Sequence, residues 1–179
     1  MTMTEASRKA MMSSEYDAWA TPQAFITYLQ AKYNIRFDLD ACANDQNYKV
    51  DRYFTIDHSC LDHEWNSHHT WLNPPYGKQI SVFLDRALDQ VHRGYANNVW
   101  VLVPARTDTA WAHKLFSSRY CRMVVFYKGR FQFKHPRKST KEGGAMFPSM
   151  LIRLQDTDRS WVTNTQYIEL PLDVRGKNG

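Results

Sequence analysis

Trp71-Leu72-Asn73-Pro74-Pro75-Tyr76-Gly77 is the stretch on which the fold and the chemistry of this chain turn. An apolar run, read as the end of a strand, meets two prolines that cannot continue a hydrogen-bond ladder, so the chain must turn there. It turns carrying Asn73 and Tyr76. Each proline lacks an N–H and fixes φ near about −65°, which holds the carbonyls of Asn73 and Pro74 in rigid directions as acceptors. An asparagine oxygen, a proline carbonyl and an aromatic face suit a planar group with an exocyclic amine: two acceptors take its two N–H donors while the ring stacks on its plane. An adenine extruded from a nucleic acid is such a group. Asn, Pro and Gly also make ordinary strand-ending turns. With proline at about 5% of average usage, an Asn/Asp/Ser-Pro-Pro-aromatic tetrapeptide arises by accident in about one per cent of chains this long, which favours the functional reading.

Outward from this turn the pattern alternates strands with helices. Upstream, Thr21-Pro22 reads as a helix start, a capping hydroxyl with proline at the first helical position, and Phe25, Ile26, Leu29 and Tyr33 continue at helical spacing, so a helix is expected from about 22 to 33. Residues 36–43 read as a short strand breaking into the polar turn 44–47. Asp40 falls at the carboxyl end of that strand, where open α/β sheets bind ligands, and the small Ala41 and Cys42 follow it. A second polar loop, residues 53–65, contains Asp57. Downstream, Ile80, Phe83, Leu84, Ala87, Leu88 and Val91 mark a crossover helix capped at Gly94, and 98–104 is a continuous apolar strand. A helix follows with Thr107 or Asp108 as N-cap, then strands at 122–127 and 147–154 and an edge strand at 167–170. This order predicts one α/β domain with a mostly parallel central sheet, an antiparallel edge and flanking helices.

Composition narrows the class. At 179 residues the chain fits one domain, and 23 Lys plus Arg against 18 Asp plus Glu leave a net charge of +5, which suits a polyanionic partner without requiring one. Three cysteines with no Cys-x-x-Cys spacing argue against a disulfide framework and for a reducing compartment. No signal peptide or membrane-length apolar run is read, so a soluble cytoplasmic protein is expected. His58, Cys60, His63, His68 and His69 match no paired-ligand spacing, and no metal is expected. Residues 128–134 alternate basic and aromatic side chains. With the basic loop after them they make Lys128, Arg130, Phe131, Phe133, Arg137, Lys138 and Lys141 candidates for nucleic-acid contact, although a solvated hairpin face accounts for the charges equally well.

Taken together, residues 17–22, 37–43, 71–77, 104–108, 129–133 and 147–151 resemble, in order, the phage-type DNA N-6-adenine-methyltransferase family. The resemblance covers most of residues 15–155. It implies a Rossmann-like fold that binds S-adenosylmethionine and methylates adenine N6 in DNA, with duplex DNA as partner, no obligatory protein partner, and the host bacterium's cytoplasm as location. Asn73, Pro74, Pro75 and Tyr76 correspond to the catalytic loop, Thr21 and Pro22 to the N-terminal cofactor block, and Asp40, Ala41 and Cys42 to the first cofactor loop. A sulfonium cofactor favours acidic and aromatic neighbours, which Asp40 and Trp19 supply in this reading. The chain departs from the wider methyltransferase pattern in lacking Gly-x-Gly after Asp40, and too few residues separate Ala43 from Leu61 for a full helix-plus-strand unit. Asp57 is therefore the candidate for the adenine or ribose contact. The expected organisation is an arm at 1–14, a methyltransferase domain at 15–171 and a polar tail at 172–179. Two alternatives stay open: the same tetrapeptide serves enzymes acting on RNA adenine or protein glutamine, and the missing glycines allow a non-catalytic nucleic-acid-binding module.

Overall fold

A computed structural model describes residues 20–133, 145, 147–157 and 163–175. Their six strands form a single sheet: β1 Leu39–Asp40, β2 Ser67–Leu72, β3 Ala96–Pro104, β4 Cys121–Lys128, β5 Ser149–Gln155 and β6 Asn164–Glu169, in spatial order β1-β2-β3-β5-β4-β6. Three helices are described, α1 Gln23–Tyr33, α2 Ile80–His92 and α3 Ala110–Phe116. The α/β class and the alternation of elements are as the sequence reads.

β1, β2 and β3 pair in parallel, and β6 is parallel to β4, so these strands and β4 run one way. β5 opposes both β3 and β4. The single antiparallel strand thus lies inside the sheet, which corrects the expected antiparallel edge. The physical reason is legible in the burial: Met150, Leu151 and Ile152 are fully buried, as a strand flanked on both sides must be, whereas β6 exposes alternate residues as an edge does.

α1 lays Phe25 against Trp71 and Tyr33 against Trp100, with ring centroids 6.2 and 4.9 Å apart. Trp71 and Trp100 are ladder partners, so both project from one face of the sheet. α2 returns the chain from β2 to β3 over β3 and β5, and Val99 to Val103 are completely buried between covered faces. α2 ends as expected: Gly94 takes φ +75°, its N–H donates to the Val91 carbonyl and that of Tyr95 to Gln90. The helix starts differ from expectation. Pro22 occupies the N-cap of α1 and Thr109 that of α3, neither helix having a side-chain cap, so Thr21, Thr107 and Asp108 do not serve as caps.

The loop before β2 is fastened to α2. Trp65 is fully buried, its backbone N–H donates to Gln90 Oε1 (2.8 Å) and its indole N–H to the Cys60 carbonyl (2.9 Å), while Arg86 donates to the carbonyls of Cys60 and His63. After β6 the chain does not leave as a purely polar tail: Val174 is fully buried, its carbonyl accepts from Gln132, and Arg175 bridges Phe131. Residues 1–14 and 176–179 lie outside the described residues.

Candidate active site

β1 and β2 end side by side, with Asp40 the ladder partner of Trp71, so the acidic loop and the Asn-Pro-Pro-Tyr loop leave the same end of the sheet as neighbours. Asn73 follows the last residue of β2 and is half-buried; Pro74, Pro75 and Tyr76 are buried. The Tyr76 hydroxyl donates to Asn73 Oδ1 at 2.5 Å, and the Leu102 carbonyl of β3 lies 3.4 Å from it. Burial pushes the Tyr76 phenol far up, so it stays a donor throughout the working pH range. Its ring meets Phe147 and Phe133 edge-on at 5.4 and 6.4 Å. Phe133 stacks on Phe131, which packs against Phe25 and Tyr127. A continuous aromatic wall therefore runs from the proline loop to the start of α1.

Asp40 is 2% exposed, and both its oxygens are engaged: Oδ1 accepts from the Cys42 N–H and Oδ2 from the Lys49 N–H. Burial outweighs these two hydrogen bonds and pushes its carboxyl up to about 6. The neighbouring amides are also committed, Ala41 to the Trp71 carbonyl and Ala43 to that of Phe54. The N–H groups of residues 41–43 are thus all committed within the protein, and Asp40 braces the loop as well as terminating β1. The Cys42 and Cys60 sulfurs lie 3.9 Å apart, and burial raises the Cys42 thiol well above its usual range. Asp57 is exposed, three residues beyond Phe54, whose N–H donates to the Asp40 carbonyl.

Three hydroxyls are buried with no hydrogen-bond partner among the described residues: Thr21, Tyr127 and Ser149. Thr21 sits one turn before Phe25; Tyr127 is near the end of β4, and Ser149 opens the opposed strand β5 opposite Pro104. All three belong to the end of the sheet that carries Asn73. Buried polar atoms without partners are uncommon in a finished core and are accounted for by water or a polar ligand.

On the expected DNA-facing segment the alternation is present, but with the aromatics turned inward. Lys128 is exposed and Arg130 half-buried, whereas Phe131 is fully buried and Phe133 6% exposed. Phe131 and Phe133 belong to the core beside Tyr76 and do not present stacking faces to solvent, which corrects that part of the expectation. A period of two puts every second side chain on the core side. Trp19, Arg137, Lys138 and Lys141 lie outside the described residues. From sequence Phe147 reads only as the start of a strand; its place against Tyr76 depends on β5 lying beside β3, which no local pattern carries. Among the described residues no group of three or more histidine, cysteine or acidic side chains is placed to hold a metal.

A family model described as DNA N-6-adenine-methyltransferase (Dam) matches residues 8–169. The chain belongs to this family. Curated DNA N-6-adenine-methyltransferases of Escherichia phage T1 and Haemophilus phage HP1 are similar to it: 35% identical over 96 residues, covering 53% of this chain and 39% of the relative, and 38% over 88 residues, covering 49% of each. The chain thus spans half or less of the length of these relatives. Within the Dam family match fall both loops at the end of the sheet, the aromatic wall and all six strands.

Proposed function

We propose that the protein transfers a methyl group from S-adenosylmethionine to the N6 amine of adenine in DNA. The observation that carries this reading is the placement of Asn73, at the end of β2, beside the Asp40 loop at the end of β1. Family membership and the names of the phage relatives support it. Adenine N6 is a weak nucleophile because its lone pair is delocalised into the ring. Acceptance of its two N–H bonds by Asn73 Oδ1 and the Pro74 carbonyl favours a pyramidal nitrogen with the lone pair free, and holding the amine in line supplies much of the remaining rate. In this reading the extruded base stacks on Tyr76, which is 9% exposed and must uncover more of its ring face to receive it; the stacking offsets part of the few kcal/mol spent in unstacking the base.

The residues present fit the cofactor. When bound, S-adenosylmethionine supplies an electrophilic methyl group on a sulfonium. Thr21, Pro22 and the Asp40-Ala41-Cys42 loop would hold it, with Asp57 and Trp19 as further candidates; the buried, unpartnered Thr21 hydroxyl supports this reading. Lys128 and Arg130, with Arg137, Lys138 and Lys141, supply phosphate contacts to duplex DNA.

Incubation of unmodified DNA, RNA and a glutamine-containing protein substrate with methyl-labelled cofactor tests the proposal. Label on adenine N6 in DNA is the expected result. Label only in RNA or on a glutamine amide assigns the same loop to another amine, and absence of cofactor binding in titration calorimetry leaves a non-catalytic module.

A further inference from the structure

Cys42 and Cys60 belong to different loops, yet their sulfurs lie 3.9 Å apart, within contact distance. Cys42 is half-buried in the loop that leaves β1, and Cys60 is buried in the loop that leads to β2. The main chain is held on both sides of this contact. The Cys42 N–H donates to Asp40 Oδ1 at 3.2 Å, and the Cys60 carbonyl accepts from the Trp65 indole at 2.9 Å and from Arg86 Nε at 3.3 Å. A disulfide needs about 2.05 Å between sulfurs, so the two thiols stand about 2 Å short of one, a distance that side-chain torsions and small loop shifts can close. Cys121, the third cysteine, opens β4, which β3 and β5 separate from β2 in the sheet.

We propose that Cys42 and Cys60 form a modification site, a dithiol that a low-molecular-weight disulfide oxidises to a cross-link between the Asp40 loop and the loop before β2. Cys42, the less buried of the two, reacts first. Its thiolate attacks one sulfur of the small disulfide; a Cys42–sulfur bond forms, the small disulfide bond breaks, and the departing thiolate takes up the proton that Cys42 gave. Cys60 then loses its proton and attacks the Cys42 sulfur, which forms the Cys42–Cys60 bond and expels the second small thiol. The protein gives up two electrons, and the small disulfide is reduced to two thiols. Burial raises the Cys42 thiol well above its usual range, so little thiolate is present at neutral pH and the first step is slow. The second step is favoured by proximity, because its two sulfurs are already in contact.

The consequence for the cofactor rests on the reading that the Asp40-Ala41-Cys42 loop holds S-adenosylmethionine. Drawing the Cys42 side chain towards Cys60 pulls on a loop whose three N–H groups are committed to Asp40, Trp71 and Phe54. Oxidation should therefore weaken cofactor binding at least five-fold, and dithiothreitol should restore it.

The folded protein is incubated to equilibrium with excess glutathione disulfide, unfolded in an alkylating agent, digested and mapped by mass spectrometry. The expected product is about 2 Da lighter before alkylation, yields one linked peptide joining Cys42 to Cys60, and carries alkylated Cys121. Calorimetry with S-adenosylmethionine on the reduced, oxidised and re-reduced protein gives the affinities. Cys60→Ala should bind the cofactor within two-fold of the parent before oxidation and give no cross-link after it. Recovery of both Cys42 and Cys60 in alkylated form, or linkage through Cys121, overturns the pair. A Cys42–Cys60 cross-link that leaves affinity within two-fold of the reduced protein overturns its hold on the cofactor loop. Absence of cofactor binding in the reduced parent is the failure of the proposed function instead, and the peptide map still decides whether the two cysteines join.

Discussion

Asn73 and Asp40 stand on neighbouring strand ends but carry their burdens differently. Asn73 is half-buried and its tie to Tyr76 is replaceable, because the Leu102 carbonyl is already within 3.4 Å of that hydroxyl. Asn73→Ala should therefore abolish methyl transfer while costing at most about 1 kcal/mol of stability and leaving cofactor affinity within a few fold, as followed by labelled transfer, urea denaturation and calorimetry. Asp40 is a buried acid raised to about 6 by desolvation. Its folded-state value lies above the unfolded one, so it favours the fold most below about pH 4, and that contribution is lost as pH rises through 6. Over pH 5 to 8 this amounts to about 1 to 2 kcal/mol. Asp40→Asn should remove that component, so the difference in unfolding free energy between pH 5 and pH 8 should shrink by this amount relative to the parent; an unchanged difference would mean that Asp40 is ionised with an ordinary pKa. At this scale the sequence was legible where chemistry is local. The Asn-Pro-Pro-Tyr loop and the strand-end Asp40 could be read directly. The capture of both Asp40 oxygens by Cys42 and Lys49 could not, because it depends on the path of the 44–49 turn.

Between elements, much of the order comes from a few polar ties that fasten loops to helices. Gln90 is fully buried on α2 and accepts the Trp65 N–H, which pins the loop that precedes β2 and so fixes the approach to Asn73. Gln90→Leu fills the same space and removes the acceptor. It should destabilise the protein by about 1–3 kcal/mol, the cost of a buried donor left unpaired, seen as a lower urea midpoint with an unchanged m-value. A midpoint within experimental error of the parent would show that the Trp65 N–H has another acceptor. The elements themselves were readable from period and punctuation, α2 down to its Gly94 terminus, because these signals act within one turn or one strand. The position of β5 was not. A buried-type run such as Met150-Leu151-Ile152 announces cover on both faces but not which strands provide it, and the antiparallel insertion between β3 and β4 is a non-local pairing. The same pairing brings Phe147 to Tyr76, so the part of the aromatic wall that the sequence hid is the part built by long-range topology.

At the scale of the whole molecule, the net charge of +5 bears on how the proposed DNA substrate is held. The segment between Phe133 and Ala145 is anchored at both ends beside the candidate site: Phe133 packs against Tyr76, and the Ala145 N–H donates to the Phe131 carbonyl at 2.7 Å. Arg137, Lys138 and Lys141 lie within five residues in sequence of Phe133 or Ala145. Exposed Lys128 and half-buried Arg130 adjoin the same wall on the chain leading into it. Side chains of this kind act on phosphates and carry no base sequence, so removing them should weaken binding to all duplexes alike. Replacing Arg137, Lys138 and Lys141 together with Gln should flatten the plot of log affinity against log salt by about 0.9 for each phosphate no longer neutralised, up to about 2.7 for all three. Cofactor affinity should be unchanged, since the Asp40 loop and Thr21 lie on other elements. Binding isotherms of parent and triple variant on two unrelated duplexes, from low to physiological salt, give both quantities. Equal weakening on both duplexes with a shallower slope is the expected result. The parent's affinity and slope in the triple variant would leave 134–144 as a solvated loop and transfer the search to Lys128, Arg130 and the basic residues of the first fourteen.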